Sequence, residues 1–259
     1  FYAEIVAEKA VLRRLVTAGT KITQLGYQGD GEVEEIVNEA QSEIYKVAEN
    51  RQSEDYVRLA EIMEHAVDEI EAAGHPQPVV IPFNLETALP HQYDELAATI
   101  EAEFGRLDGL LHNASILGPR TPLEQLSGDN FMRVMQINVN AIFMLSSTLL
   151  PLLKLSQDAS VAFTSSSVGR KGRAYWGAYA VSKFATEGLM QVMADELDGI
   201  ANVRANSINP GATRTAMRAQ AYPGENPASR PLPEDIMPLY LYLMGPDSQG
   251  VNGQAFDAQ

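Results

Sequence analysis

Tyr179 and Lys183 stand four residues apart, a spacing that puts both on one helix face with their tips converging. An ammonium beside a phenol favours the phenolate and lowers the phenol's pKa from its usual value of about 10. Tyr179 is then a proton donor for chemistry near neutral pH. Upstream, the apolar run Val161-Ala162-Phe163 leads into Thr164 and three serines. A serine hydroxyl at the end of such a strand could hold a carbonyl oxygen against the phenol. Reduction of that carbonyl needs a hydride, which no side chain supplies and a nicotinamide does. A Tyr-x-x-x-Lys pair is also a frequent coincidence on helix surfaces, so spacing alone leaves both readings open.

These residues must be positioned by a strand at 161–163 and a helix from about Tyr175 to Leu197. Around them the pattern alternates from Gly74 onward. Val79-Val80-Ile81 reads as a short buried strand, and Pro90 opens a helix with Leu96, Ile100 and Phe104 inward. Residues 108–112 read as the next strand and 129–153 as a long helical stretch. A strand at 203–208 ends at Asn209-Pro210-Gly211, a helix spans 233–244, and 254–256 is a last strand. Strands alternating with helices predict a parallel sheet with right-handed crossovers.

The front of the chain reads differently. Residues 1–17 have helical spacing ending at Gly19, and a second helix starts after Asp30 with Val33, Ile36, Val37, Ala40 and Ile44 on one stripe. A third runs from Ser53 towards Ala73. Gly26, Gly29 and Gly31 follow a helix rather than a strand and lie among acidic residues, so they read as a helix connection and not as a phosphate loop. The start at Phe1, inside a helical pattern, reads as an excerpt of a longer chain.

Composition narrows the function classes. The 259 residues carry a net charge of -15, which argues against a nucleic-acid or anionic-membrane surface. With no cysteine, disulfides, thiolate nucleophiles and Cys-ligated zinc are excluded. The four histidines show no metal spacing. No apolar run reads as long enough to span a membrane, and no signal peptide is seen, so a cytoplasmic protein is predicted.

Residues 75–259 resemble the short-chain dehydrogenase/reductase family, through motifs that occur in order. Leu111-His112-Asn113-Ala114-Ser115 is similar to the family's Asn-Asn-Ala-Gly turn, with Ser115 in place of Gly. Asn138-Val139-Asn140-Ala141 resembles its catalytic-asparagine segment. Ser166 with Tyr179 and Lys183 resembles its catalytic core, Pro210-Gly211 with Thr213 and Thr215 its nicotinamide-side loop, and 251–257 its closing strand. The runs 163–188 and 235–259 are most like a YciK-type oxidoreductase subgroup.

The resemblance implies hydride transfer between NADP or NAD and a small carbonyl or alcohol. In it Tyr179 is the acid/base, Lys183 lowers its pKa and holds the nicotinamide ribose, and Ser166 orients the carbonyl. Asn138 holds a water linking Lys183 to solvent; a helix amide bonded to backbone is the other reading of Asn138. Asn113 and Ala114 brace the cofactor edge, Pro210, Gly211 and Thr213 lie on the nicotinamide side, and Asn84 stands where an adenine-binding Asp is usual. It also implies a homodimer through helices 129–153 and 178–197, with Leu145, Leu149, Leu189 and Val192 as contacts.

One departure is large. The family's first strand, Gly-rich loop, helix and second strand are missing. Residues 1 to about 68 instead resemble the helical hairpin of the DnaB-type replicative helicase N-terminal domain, a region of ring assembly and primase contact. That match rests on Tyr2-Ala3-Glu4-Ile5-Val6, on 8–15 and on Ser53-Glu54-Asp55-Tyr56. The predicted fold is therefore α/β: a partial Rossmann-like doubly wound parallel sheet lacking its first βαβ segment, preceded by an all-α hairpin. The expected domains are 1–70 and 71–259. Without the Gly-rich loop, NADP or NAD is expected to bind weakly or not at all. A helical interaction module, or an inactive mosaic, is the alternative.

Overall fold

The computed structural model describes residues 66–259 together with 16, 17, 19–23, 25, 27 and 63. The chain divides into two compact units, Phe1–Pro82 and Phe83–Gln259. The predicted helix after Asp30, and most of the first and third, lie outside the described residues.

In the first unit the described residues from 16 to 23 are helical through Gly19, so the predicted stop there is corrected. Thr20 and Thr23 donate their hydroxyls to the carbonyls of Val16 and Gly19, each at 2.8 Å. A glycine costs a helix only about 1 kcal/mol and does not by itself end one. Residues 66–72 are helical and stop at Gly74, whose φ of 81° lets the His75 amide reach back to the Ile70 carbonyl. The predicted strand at 79–81 is also corrected. Val79, Val80 and Ile81 form no ladder and are exposed. Strand propensity is realised only against a neighbouring strand, and among the described residues none pairs with this segment.

The second unit is a four-stranded parallel sheet. Strands β1 (Gly109–His112), β2 (Ala159–Thr164), β3 (Val203–Asn209) and β4 (Ala255–Asp257) lie side by side in chain order. Helices α1 (Pro90–Phe104), α2 (Gly128–Met135), α3 (Ala141–Leu153), α4 (Gly177–Leu197), α5 (Ala216–Ala221) and α6 (Pro233–Met244) connect and cover them. Successive side chains of a strand face opposite ways, and β2 uses both faces. Val161 and Phe163 pack with Ile142, Leu153, Met190 and Leu197 of α3 and α4. Ala162 packs with Ile208 and with Ile236, Tyr240 and Leu243 on α6. Helices on both faces make the sheet doubly wound, as predicted.

In α1 the buried stripe is Tyr93, with Leu96 and Ile100 half-buried; it stops one turn short of Phe104, which is exposed rather than inward. The predicted 129–153 helix is interrupted. Ser127 caps α2 by accepting from the Asn130 amide, and one π-helical turn, Gln136–Asn140, separates α2 from α3. Taken together, Gly128–Leu153 is long and apolar enough to cross a membrane on length and mean hydropathy, 1.3, which corrects the sequence reading. Its Ile142 and Leu153 lie in the core beside the sheet, the position of a core helix.

Candidate active site

The carboxyl ends of β1, β2 and β3 open into one cavity of about 830 Å³, which is where ligands bind in open α/β sheets. β2 delivers Thr164, Ser165 and Ser166 to it. Ser166 is extended, and its Oγ caps a short turn by accepting from the Val168 amide at 3.4 Å. Gly169 then lets the chain press against α4. A Cβ at Gly169 would lie 2.8 Å from the Lys183 backbone oxygen. The predicted helix start at Tyr175 shifts to Gly177, because Tyr175 takes a left-handed φ of 70°. A tyrosine there is strained, by about 1–3 kcal/mol, and such strain clusters at functional loops.

Tyr179 and Lys183 do share one face of α4. The Lys183 Nζ lies 5.6 Å from the centre of the Tyr179 ring and donates to the Thr164 carbonyl at 2.7 Å. The expected depression of the phenol's pKa is corrected, however. Burial pushes Tyr179 up to about 12, opposed in part by hydrogen bonding to Ser166. Burial also brings Lys183 down to about 8, with the Glu187 carboxylate pulling the other way.

Asn138 sits in the π turn, fully buried. Its Oδ1 accepts from the Ile116 amide and its Nδ2 donates to the Ile116 carbonyl, both at 2.8 Å, and to Ser182 Oγ at 3.1 Å. The side chain therefore clamps the loop after β1. π turns recur at functional sites because the extra residue re-aims a side chain. Asn113, Ala114, Pro210, Gly211 and Thr213 all line the cavity. Asn113 Oδ1 accepts from Thr164 Oγ1 at 2.9 Å, and Thr213 donates to the Pro210 carbonyl at 3.1 Å. Asn84 is not brought in: its Oδ1 accepts from the Glu86 amide at 2.9 Å in a turn outside the lining.

Several supporting residues escaped the sequence reading. Arg170 reaches Glu187 on α4 and both Asp257 and the Phe256 carbonyl on β4, and Glu187 accepts from Ser207 on β3 at 2.7 Å. This network pins the Ser166 loop to three elements. The sequence trace of it was an acid, Glu187, among the apolar residues of a helix, with a basic residue seventeen positions earlier. On the far side of Tyr179, Arg120 stacks between Trp176 and Tyr222, 4.7 and 4.8 Å from their centres, and donates to the Ala221 carbonyl. Such long-range stacking leaves no mark in local sequence. Ser165 Oγ is buried, lines the cavity and has no protein hydrogen-bond partner. A buried polar atom without a partner is costly, so this hydroxyl fits a polar ligand at the Asn113–Thr213 end.

The fold and this convergence define a short-chain dehydrogenase, and the family's model, "short chain dehydrogenase", matches residues 52–226: the chain belongs to that family. It is 54% identical over 183 residues to the oxidoreductase YciK of Escherichia coli strain K12, over 71% of this chain and 72% of that protein. Among solved structures, a short chain dehydrogenase of Pseudomonas syringae shares 72% identity with a TM-score of 0.74, over 76% of this chain and 79% of that one. One from Shigella flexneri, complexed with NADP, shares 51% identity with a TM-score of 0.74, over 77% and 82%. Separately, 75 residues are 60% identical to the replicative DNA helicase DnaB of Leifsonia xyli, 29% of this chain but 16% of that protein.

Proposed function

We propose that this chain carries the substrate-and-proton half of an NAD(P)-dependent carbonyl reductase or alcohol dehydrogenase, and that it binds the dinucleotide weakly or not at all. The observation that carries the first part is the convergence of Ser166 and Tyr179 in one cavity, with Lys183 beneath them. Ser166 orients the carbonyl oxygen, and the Tyr179 phenol gives its proton to that oxygen. At about 12, the phenol is protonated at neutral pH, so the resting site is poised to donate a proton rather than take one. Asn138, holding Ile116, acts as a positioning residue.

The residues fit one end of the cofactor. Asn113, Ala114, Pro210, Gly211, Thr213 and Lys183 would hold the nicotinamide and its ribose, and the unpartnered Ser165 hydroxyl supports a polar ligand there. The cofactor, when bound, supplies the hydride. For the pyrophosphate end, the lining carries no glycine-rich loop among the described residues. That end needs a cluster of backbone amides aimed at it, and the cavity's lining holds a single glycine, Gly211. Asn84 as an adenine contact rests on family resemblance.

The test is titration of the purified chain with NADPH and NADH, read by nicotinamide fluorescence. No saturation is expected in the micromolar range. A micromolar Kd would show that another segment rebuilds the missing half-site.

The proposed domain boundary is near residue 70, with residues 1–70 a helical module of helicase type. The DnaB match favours this second reading, and binding of the chain to primase tests it. If neither NAD(P)H nor primase binds, an inactive mosaic is what remains. The absence of cysteine supports a cytoplasmic setting. A homodimer through α3 and α4 is supported by the exposed Phe143, Phe184 and Val192. Leu149 is buried within the monomer and Leu189 packs on its core, so both leave the proposed contact set. A monomer by light scattering at high concentration would overturn the dimer.

A further inference from the structure

The part of the cavity beyond Tyr179 has a chemistry of its own. Leu117, Trp176, Met217, Ala221 and Tyr222 pack around Tyr179 and form an apolar, partly aromatic wall. Two arginines stack on this wall: Arg120 between Trp176 and Tyr222, and Arg218, which also lines the cavity, at 3.9 Å over Tyr222. Arg218 is neutralised by Glu225, through bonds of 2.6 and 2.7 Å. Arg173 differs. It lines the same cavity, its backbone carbonyl accepts from the Trp176 amide at 3.3 Å, and its guanidinium has no carboxylate partner among the described residues. The lining contains no Asp or Glu, although the chain as a whole carries a net charge of -15. A cation with no carboxylate partner among the described residues, beside an apolar wall in a strongly acidic chain, is a feature that selects for charge.

We infer that the substrate is an apolar carbonyl compound bearing an anionic group, its ring or chain against Trp176 and Tyr222 and its anion at Arg173. The inference rests on the carbonyl chemistry proposed for Ser166 and Tyr179. It adds an end-to-end order: carbonyl at the phenol, apolar body on the aromatic wall, acid at the mouth. Arg173 is exposed, so its contribution is that of a solvent-facing ion pair and not of a buried clamp.

The test needs no cofactor. Trp176 is the chain's single tryptophan and lines the cavity, so its emission reports binding there directly. The full chain is titrated with a cyclohexanone carboxylate and, separately, with its methyl ester. The acid is expected to bind about fivefold tighter than the ester at low salt, with the gap narrowing as salt is raised. Arg173→Met should bring the acid to the ester's affinity, and Arg173→Lys should keep part of the preference. Equal affinities in the wild-type chain would overturn the anionic substrate class while leaving the carbonyl reading standing. An acid preference that survives in Arg173→Met would overturn the role of Arg173. No change in Trp176 emission with either ligand would overturn the cavity as a carbonyl site, and the proposed function with it.

Discussion

The middle of the sheet and its front edge have been treated differently. β2 is buried along its length apart from Thr164, its side chains packed on both faces, and its ladder paired on both sides. β1 is paired only with β2 among the described residues, and Leu111 remains 42% exposed. Of the proposed catalytic groups, Ser166 follows β2, and Tyr179 and Lys183 lie on α4, which packs against β2; amides for a pyrophosphate would have to come from beside β1. On the proposed reading, chemistry at Tyr179 is separable from cofactor capture. The proposed loss of the dinucleotide-capturing half would leave the Ser166–Tyr179 region packed, because that region rests on β2 and α4 rather than on β1.

The largest expected effect probes the packed middle. Phe163 is fully buried, stacks on His112 with ring centres 4.9 Å apart, and touches both α3 and α4 through the core. Phe163→Ala should cost about 3–5 kcal/mol in denaturant unfolding, the range for large aromatic truncations in a core. A loss below about 1 kcal/mol would mean that the middle of the sheet is no better packed than its edge, and the contrast between them would fall.

The next effect has the opposite sign. Lys183 is buried and its pKa falls to about 8, against about 10.4 in an unfolded chain. Between those values the unfolded state binds more protons than the folded state, so stability rises with pH across that window. At neutral pH the folded chain carries the full penalty of a buried ammonium, up to about 3 kcal/mol by that shift. Lys183→Met should therefore raise the unfolding midpoint at pH 7 and abolish the rise between pH about 8 and 10. If instead the variant is less stable at every pH, the bond from Nζ to the Thr164 carbonyl outweighs the burial, and Lys183 is a structural brace.

Much of this arrangement could be read from the residues. The strand at 203–208 and the helix at 233–244 were legible because a turn sequence such as Asn209-Pro210-Gly211 and a proline at the helix start are local signals. Ser166, Tyr179 and Lys183 were legible because motif spacing survives without the fold. The π turn at Asn138 was not, since nothing in a helical pattern announces an extra residue, and neither was the left-handed Tyr175. Residues 79–81 were misread for a different reason. Their propensity was correctly recognised, but a strand is a property of a pair. The pKa of Tyr179 was misjudged because spacing shows a neighbouring charge and does not show burial.

The smallest effect concerns the front edge. Leu111 lies on β1 with much of its surface in water, so Leu111→Ala removes little burial and should change stability by no more than about 0.5 kcal/mol. What it exposes to test is the row of backbone groups beside it. The far edge of β1 is unpaired among the described residues; an open edge pairs with other chains unless a charge or a proline blunts it, and β1 carries neither in Gly109–His112. Leu111→Lys should leave the unfolding midpoint nearly unchanged while slowing concentration-dependent association, measured by light scattering over time. If Leu111→Lys instead lowers stability by more than about 2 kcal/mol, the side chain must be covered by apolar surface in solution. The edge would then be occupied, and the difference drawn between it and the middle of the sheet would no longer hold.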